Sequence, residues 1–223
     1  PRQQYSANLE YQIVRARVVG HYASNKADLV LEYERLLEIS TSEFARDANR
    51  YALAIAYYEN QQFSQANDTL APLLKKDPNR ISYAVTLAEI LTEQNEPGQA
   101  INFLQRHLAI NPGNNALTIA YVDALIESRA YTAASEALAR HSVSRPDDFQ
   151  LWYKLAETQG QAGNISAVHQ ARAEYFRLLG DYQRARQQLR SALKIESDNG
   201  IAPAEEARLR QKIQEIEKLQ QNV

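Results

Sequence analysis

Several residue types are missing from this sequence, and each absence excludes particular kinds of chemistry or structure. No cysteine occurs, which excludes disulfide bonds, thiolate chemistry and cysteine-ligated zinc. No methionine occurs either, and because the sequence opens at Pro1 we expect an excised or processed piece of a longer protein. No apolar run approaches the roughly 20 residues that span a bilayer, and no signal peptide is visible.

The residues that usually carry catalysis are also not in catalytic arrangements. Four histidines occur, no two of them four residues apart and none followed by glutamate: His21, His107, His141 and His169. No glycine-rich phosphate loop and no Ser/His/Asp order is present. The net charge of −2 gives no basic field for nucleic acid, and no nucleic-acid-binding motif accompanies the arginines. We therefore expect no catalytic residue, no metal and no cofactor in this chain.

A 34-residue period is the most regular feature that is present. Three sets of identical residues keep it: Pro78, Pro112 and Pro146; Ala66, Ala100 and Ala134; and Leu70, Leu104 and Leu138. A fixed period of this length is typical of stacked helix–turn–helix arrays, which hold partners more often than they catalyse reactions. Because the residue before a proline is disfavoured in a helix, each of the three prolines predicts the end of a second helix.

The period divides the chain into three parts. Full repeats are predicted at residues 47–80, 81–114, 115–148 and 149–182, with an overlapping final unit that extends to 194. Residues 1–46 are predicted to form a degenerate helical repeat. Residues 195–223 are predicted to form a capping helix, because one apolar stripe runs along an otherwise charged segment. The stripe consists of Leu209, Ile213, Ile216 and Leu219. We predict an all-α solenoid of about twelve antiparallel helices.

The repeat residues resemble the tetratricopeptide repeat (TPR). The similarity rests on the alternation of small and large residues, on Trp152-x-x-Leu155-Ala156, and on the proline that closes each repeat. It covers about residues 47–194. The fold that it implies is an α-α superhelix, and the function that it implies is protein–protein interaction.

A narrower stretch resembles the C-terminal end of the TPR-bearing zinc metallopeptidases of the bacterial periplasm. It runs from Glu174-Tyr175-Phe176 through Gly180-Asp181-Tyr182 to Ala192-Leu193, and a charged helix follows. The resemblance implies that this chain is the repeat half of such a protein, in the periplasm, and that the zinc belongs to a separate protease domain. It also implies docking to outer-membrane protein assembly machinery and presentation of misassembled barrel proteins. The alternative is a stand-alone scaffold in secretion or envelope assembly.

Helical spacing predicts which side chains line the groove of such a superhelix. Leu87, Ala88 and Leu91 mark the packed side of one first helix, so Glu89 and Glu93 lie on its opposite side. Shifting by 34 residues extends this candidate protein-binding groove to Tyr51, Tyr58, Glu59, Asp123, Glu127, Tyr153 and Glu157. One interpretation is an ordinary solvated helix face. The other is an acidic groove, flanked by tyrosines, that selects basic or amphipathic segments.

A second candidate surface is basic. Arg186, Arg190 and Lys194 are four residues apart and therefore share one helix face. The face serves either to keep the helix soluble or to contact an acidic partner surface, such as that of a cognate protease domain.

Overall fold

The computed structural model describes residues 2–200 and 202–221, with side chains from residue 8 onward. Twelve α-helices and no strand are formed by these residues, so the predicted all-α class and helix number are confirmed. The helices are α1 (Arg2–Tyr22), α2 (Lys26–Glu38), α3 (Glu43–Glu59), α4 (Phe63–Lys76), α5 (Ile81–Glu93), α6 (Pro97–Ile110), α7 (Asn115–Glu127), α8 (Tyr131–Ser144), α9 (Phe149–Gln161), α10 (Ile165–Leu178), α11 (Tyr182–Asp198) and α12 (Pro203–Gln221).

The helix bounds follow the 34-residue period. The helices α4, α6, α8 and α10 begin 34 residues apart, and so do α5, α7 and α9. Three second helices end two residues before a proline, as predicted. The residues between helix and proline leave the helical region, with φ of −137° at Asp77, −124° at Asn111 and −135° at Arg145.

The turns between paired helices repeat the same backbone conformation. Their left-handed residues are 34 apart, with φ of 59° at Gln61, 65° at Asn95, 60° at Arg129 and 77° at Gly163. In each turn the next amide donates to a carbonyl five residues earlier, at 2.8 to 2.9 Å. These are Schellman caps, which satisfy carbonyl groups at the end of the first helix. A side chain in three of the four places shows that the repeat imposes this conformation even without glycine.

Two compact units make up the chain, Pro1–Ala124 and Leu125–Val223. In the first unit, α3 packs against α1, α2 and α4, and α5 packs against α4 and α6. The core is centred on large side chains of α3 to α5 that are almost completely buried: Tyr51, Leu70, Leu73, Tyr83 and Ile90. Tyr51 and Tyr83 stack with ring centroids 5.6 Å apart.

In the second unit, consecutive helices from α8 to α12 pack against one another. Its C-terminal core joins Ala173, Ala185 and Leu189 to Leu209 and Ile216 of α12. The apolar stripe predicted for the last helix therefore packs on α11. The segment predicted as a cap over 195–223 contains the end of α11, which continues to Asp198, and the whole of α12.

Candidate protein-binding surfaces

The predicted groove residues of the first unit lie on one side of α3 and α5, which we call the inner face. On α3 this face carries Tyr51, Ile55 and Glu59. On α5 it carries Ile81, Val85, Glu89 and Glu93, each four residues after the one before. The α5 stripe therefore changes along its length from apolar side chains to carboxylates.

The inner face of α3 is covered by α1. Tyr51 is 0% exposed and Ile55 is 2% exposed, so the prediction that Tyr51 lines an open groove is wrong. Gly20 explains how closely α1 approaches, because a Cβ atom there would lie 2.6 Å from Ile55 Cγ2. The sequence predicted a degenerate repeat for this segment but not the helix that α1 covers. Gly20 was the available signal, because a glycine within a helix can mark a close approach of another helix.

Arg17 connects α1 to both neighbouring helices. Its Nε donates to the Tyr51 hydroxyl at 3.0 Å, and its Nη2 donates to Thr86 Oγ1 at 2.8 Å and to Glu89 Oε2 at 2.6 Å. Burial opposes the charge, but the neighbouring Tyr51 and Glu89 raise the pKa of Arg17 above its usual range. The carboxylate of Glu89, one of those in the predicted acidic groove, is thus already paired within the chain.

The remaining acidic residues of this face differ in their surroundings. Glu59 lies 3.6 Å from Lys26 Nζ, whereas Glu93 is exposed and has no ion pair among the described residues. Tyr58 is half-buried beside them, and burial together with Glu89, Glu93 and Glu59 raises its pKa to about 12. Two of the three carboxylates at this end of the face are thus paired within the chain, and the acidic groove stays a prediction.

An open groove of about 660 Å³ continues the inner face beyond α1. Ile81 and Val85 of α5 line it, together with Val14 and Arg17 of α1 and Ala116 at the start of α7. Asp123 lies further along α7, half-buried. Where α5 begins, the groove thus combines these apolar side chains with the charged side chains of Glu10, Asp77 and Arg80.

In the second unit, two predicted groove residues stand beside a cluster of aromatic rings. Tyr153 is 50% exposed and its ring centroid lies 5.6 Å from that of Tyr175. Phe149 and Phe176 also contact Tyr175, at 6.3 and 5.3 Å. The hydrogen bond to Glu157 raises the pKa of Tyr153. Glu157 and Glu127 are both exposed.

Sequence reasoning missed three members of this cluster. A signal was available, because the positions 34 residues before Phe149, Tyr175 and Phe176 hold no aromatic carbon ring: Asn115, His141 and Ser142. The fold therefore does not require these rings.

The basic stripe on α11 is largely paired within the unit. Arg190 Nη2 lies 3.2 Å and Arg186 Nη1 3.6 Å from the same oxygen of Glu217 on α12. Glu217 of α12 thus supplies a carboxylate to two of the three residues of the predicted basic surface, and the role of that surface stays a prediction. Lys194 is exposed.

Within residues 2–200 and 202–221, no three His, Cys, Asp or Glu side chains are placed to hold a metal ion. Within the same ranges, no helix is long and apolar enough to cross a membrane.

The helix pairs, their period and their caps form the fold of a tetratricopeptide-repeat solenoid. A family model described as tetratricopeptide repeat matches residues 91–172, and one described as anaphase-promoting complex, cyclosome, subunit 3 matches residues 27–107. Solved structures agree on the fold. A tetratricopeptide repeat protein from Parabacteroides merdae covers 93% of this chain and 83% of its own, with TM-score 0.54 and 13% identity. YrrB, described as a TPR protein with an unusual peptide-binding site, covers 81% and 95%, with TM-score 0.52 and 15% identity.

In sequence, the chain is similar to the beta-barrel assembly-enhancing proteases. It is 27% identical to that protein of Escherichia coli (strain K12) over 216 residues, which are 95% of this chain and 42% of the relative. It is 26% identical to a putative beta-barrel assembly-enhancing protease of Vibrio cholerae over 204 residues, or 92% and 42%. The resemblance to TPR-bearing metallopeptidases is thus confirmed. The chain spans about two fifths of the length of these relatives.

Proposed function

We propose that this chain is the non-catalytic, protein-binding part of a periplasmic zinc metalloprotease of the beta-barrel assembly-enhancing kind. In this role the repeats dock the protease to outer-membrane protein assembly machinery and present misassembled barrel proteins for proteolysis or maturation. The observation that carries the proposal is the similarity of nearly the whole chain to these proteases, combined with a fold that supplies binding surfaces. The zinc and the cleavage chemistry belong to a separate protease domain.

The proposed contact points are half-buried and exposed residues at the acidic end of the inner face and in the aromatic cluster. We would place a photoreactive amino acid at Tyr58, Glu93 or Tyr153 in the full-length protein and irradiate cell envelopes. Crosslinks to assembly components or to barrel proteins are expected at these positions. Asp68 is the matched control, because it is exposed on α4, away from the inner face.

Two results would reject this function. One is the capture of the same proteins at Asp68 as at the three test positions. The other is the capture only of proteins unrelated to barrel assembly, which would favour a stand-alone scaffold. A start codon directly before Pro1 in the gene would also favour the scaffold.

A charge-reversal variant tests the acidic side chains directly. Replacing Glu93 and Glu127 by lysine is expected to reduce crosslinking yields severalfold, because two exposed ammonium groups then repel a basic partner that the carboxylates attracted. The helical signal in circular dichroism should not change, because neither residue is buried. Unchanged crosslinking to every partner would exclude these carboxylates from binding.

A further inference from the structure

The contacts of α1 indicate which kind of segment the inner face accepts. Glu10 of α1 pairs with Arg80, just before α5, at 2.5 Å, and Arg17 reaches Thr86 and Glu89 further along α5. Since both series of numbers increase together, α1 runs parallel to α5. Its apolar residues therefore meet the start of the face, and its basic residues meet the acidic end.

The charges of α1 and of the region after it complement the face that it covers. Ile13 and Ala16 are buried among the core side chains of α3, and Arg17 follows them at Glu89. Lys26, four residues beyond the end of α1, lies 3.6 Å from Glu59. The segment thus has an apolar part followed by two cations, in the order that the face requires.

The neighbouring part of the inner face, on α5 and α7, also changes from apolar to acidic side chains, and α1 reaches it through Glu10 at Arg80 and Arg17 at Glu89. On α5 it is apolar at Ile81 and Val85 and acidic at Glu89 and Glu93, and on α7 Asp123 follows Ile119. The open groove of about 660 Å³ lies at its apolar end. Val14 and Val18 of α1, 59% and 52% exposed, give α1 a second apolar side that no described residue covers. This face is therefore continuous with the α1 interface. Its acidic end repeats that of α3, with Glu93 one period after Glu59, whereas Glu89 stands where α3 has Ile55.

We propose that the groove between α1, α5 and α7 binds an amphipathic helix of a partner protein that carries the pattern of α1. The partner helix lies parallel to α5, with its apolar residues on Val14, Ile81 and Val85 and a basic residue near its C-terminal end on Glu93. This inference rests on the proposed function, because it names the kind of segment that the repeats hold.

The register of the 34-residue period makes the proposal specific. Position 59 becomes position 93 after one shift. A segment placed as α1 and the turn after it are placed, but one repeat further, therefore puts the equivalent of Lys26, just past the end of the helix, at Glu93. A synthetic peptide with the sequence of residues 8–26 of this chain is therefore a suitable probe. It carries the apolar stripe, Arg17 and Lys26 in the required order.

The first experiment measures binding of this fluorescent peptide to the full chain by anisotropy at low salt. We expect saturable binding that Glu93→Lys weakens by about 5- to 10-fold, because a counter-charge becomes a like charge. Asp68→Lys alters the net charge equally but lies on α4, and we expect less than a twofold change. A peptide with Lys26→Glu should bind weakly to the native chain and recover affinity for Glu93→Lys.

The second experiment measures the direction of the bound helix. The chain has no cysteine, so Ala116→Cys introduces a single thiol at the start of α7, on the wall of the groove. Parallel binding predicts that a peptide with an N-terminal cysteine forms the disulfide at least severalfold faster than one with a C-terminal cysteine.

Four outcomes would overturn the inference: no saturable binding, equal weakening by Glu93→Lys and Asp68→Lys, no recovery with the reversed peptide, or a preference for the C-terminal thiol. Failure of the proposed function is a separate result. Peptide binding in this register without capture of any assembly component from envelopes would keep the groove and reject the docking role. Capture of assembly components at Tyr153 without peptide binding would keep the docking role and reject the groove.

Discussion

Arg17 is the residue through which α1 is held on the inner face. Replacing it by glutamine removes the ion pair with Glu89 and weakens the bonds to Tyr51 and Thr86. Because Arg17 and Glu89 keep about a third of their side-chain surface exposed, we expect a loss of only about 1–2 kcal/mol in the free energy of unfolding. Urea denaturation measures this.

Arg15 provides the control for this change. It is exposed on the same helix, and its side chain bonds only weakly to Gln12, at 3.4 Å. We expect Arg15→Gln to change stability by less than about 0.5 kcal/mol. Equal losses in the two variants would show that the Arg17 network contributes nothing beyond an exposed charge.

Gly20 sets how closely α1 approaches α3. In Gly20→Ala the new methyl group would lie 2.6 Å from Ile55 Cγ2, so the helices must separate, and we expect a loss of about 1–3 kcal/mol. Gly98→Ala is the matched control, since nothing lies within 4 Å of the new methyl group and alanine favours a helix. The comparison is made by thermal unfolding. A loss of stability in Gly98→Ala as large as in Gly20→Ala would argue against a packing effect.

At the scale of the helix, the repeated turn allows opposite effects to be predicted for two substitutions at equivalent positions. Arg129 and Gly163 occupy equivalent left-handed positions, with φ of 60° and 77°. A side chain strains this conformation by roughly 1–2 kcal/mol, so Gly163→Ala should destabilise by about 1 kcal/mol and Arg129→Gly should stabilise by about 0.5 kcal/mol. No atom lies within 4 Å of a Cβ at Gly163, so the change in stability of Gly163→Ala contains no contribution from a steric clash. Urea denaturation that shows the same sign for both variants would contradict the prediction.

The bounds of the helices could be predicted from the sequence better than the helices against which each one packs. Alanine spacing and prolines give the ends of α4, α6 and α8, because caps and proline torsions are local. The position of α1 could not be predicted, because its contacts join residues 34 to 72 apart and no repeat precedes it as a template. The same reason explains Tyr51: helical spacing placed it on the correct side of α3, but spacing does not show which segment covers that side.

The basic stripe illustrates the same limit on α11. The four-residue spacing correctly places Arg186 and Arg190 on one face. Whether that face is free depends on Glu217, which lies on a different helix. Periodicity thus predicts faces, and tertiary packing decides which of them remain available.

For the whole molecule, two buried histidines make stability depend on pH. His107 and His141 stand at equivalent positions of successive repeats, and burial lowers the pKa of both below the ordinary value of 6.5. The unfolded chain therefore binds protons that the folded chain excludes. Stability should be complete above pH 6.5, fall as the pH drops through that value, and level off below the lowered pKa values.

Leucine at position 73, one repeat before His107, shows what the fold accepts there. In His107→Leu, the fall in the free energy of unfolding between pH 7.5 and 5 should become smaller, because the buried Nδ1 atom, which has no partner among the described residues, is removed. Urea denaturation at several pH values measures these slopes. Equal slopes in the native chain and in His107→Leu would show that this histidine is not a source of the pH dependence.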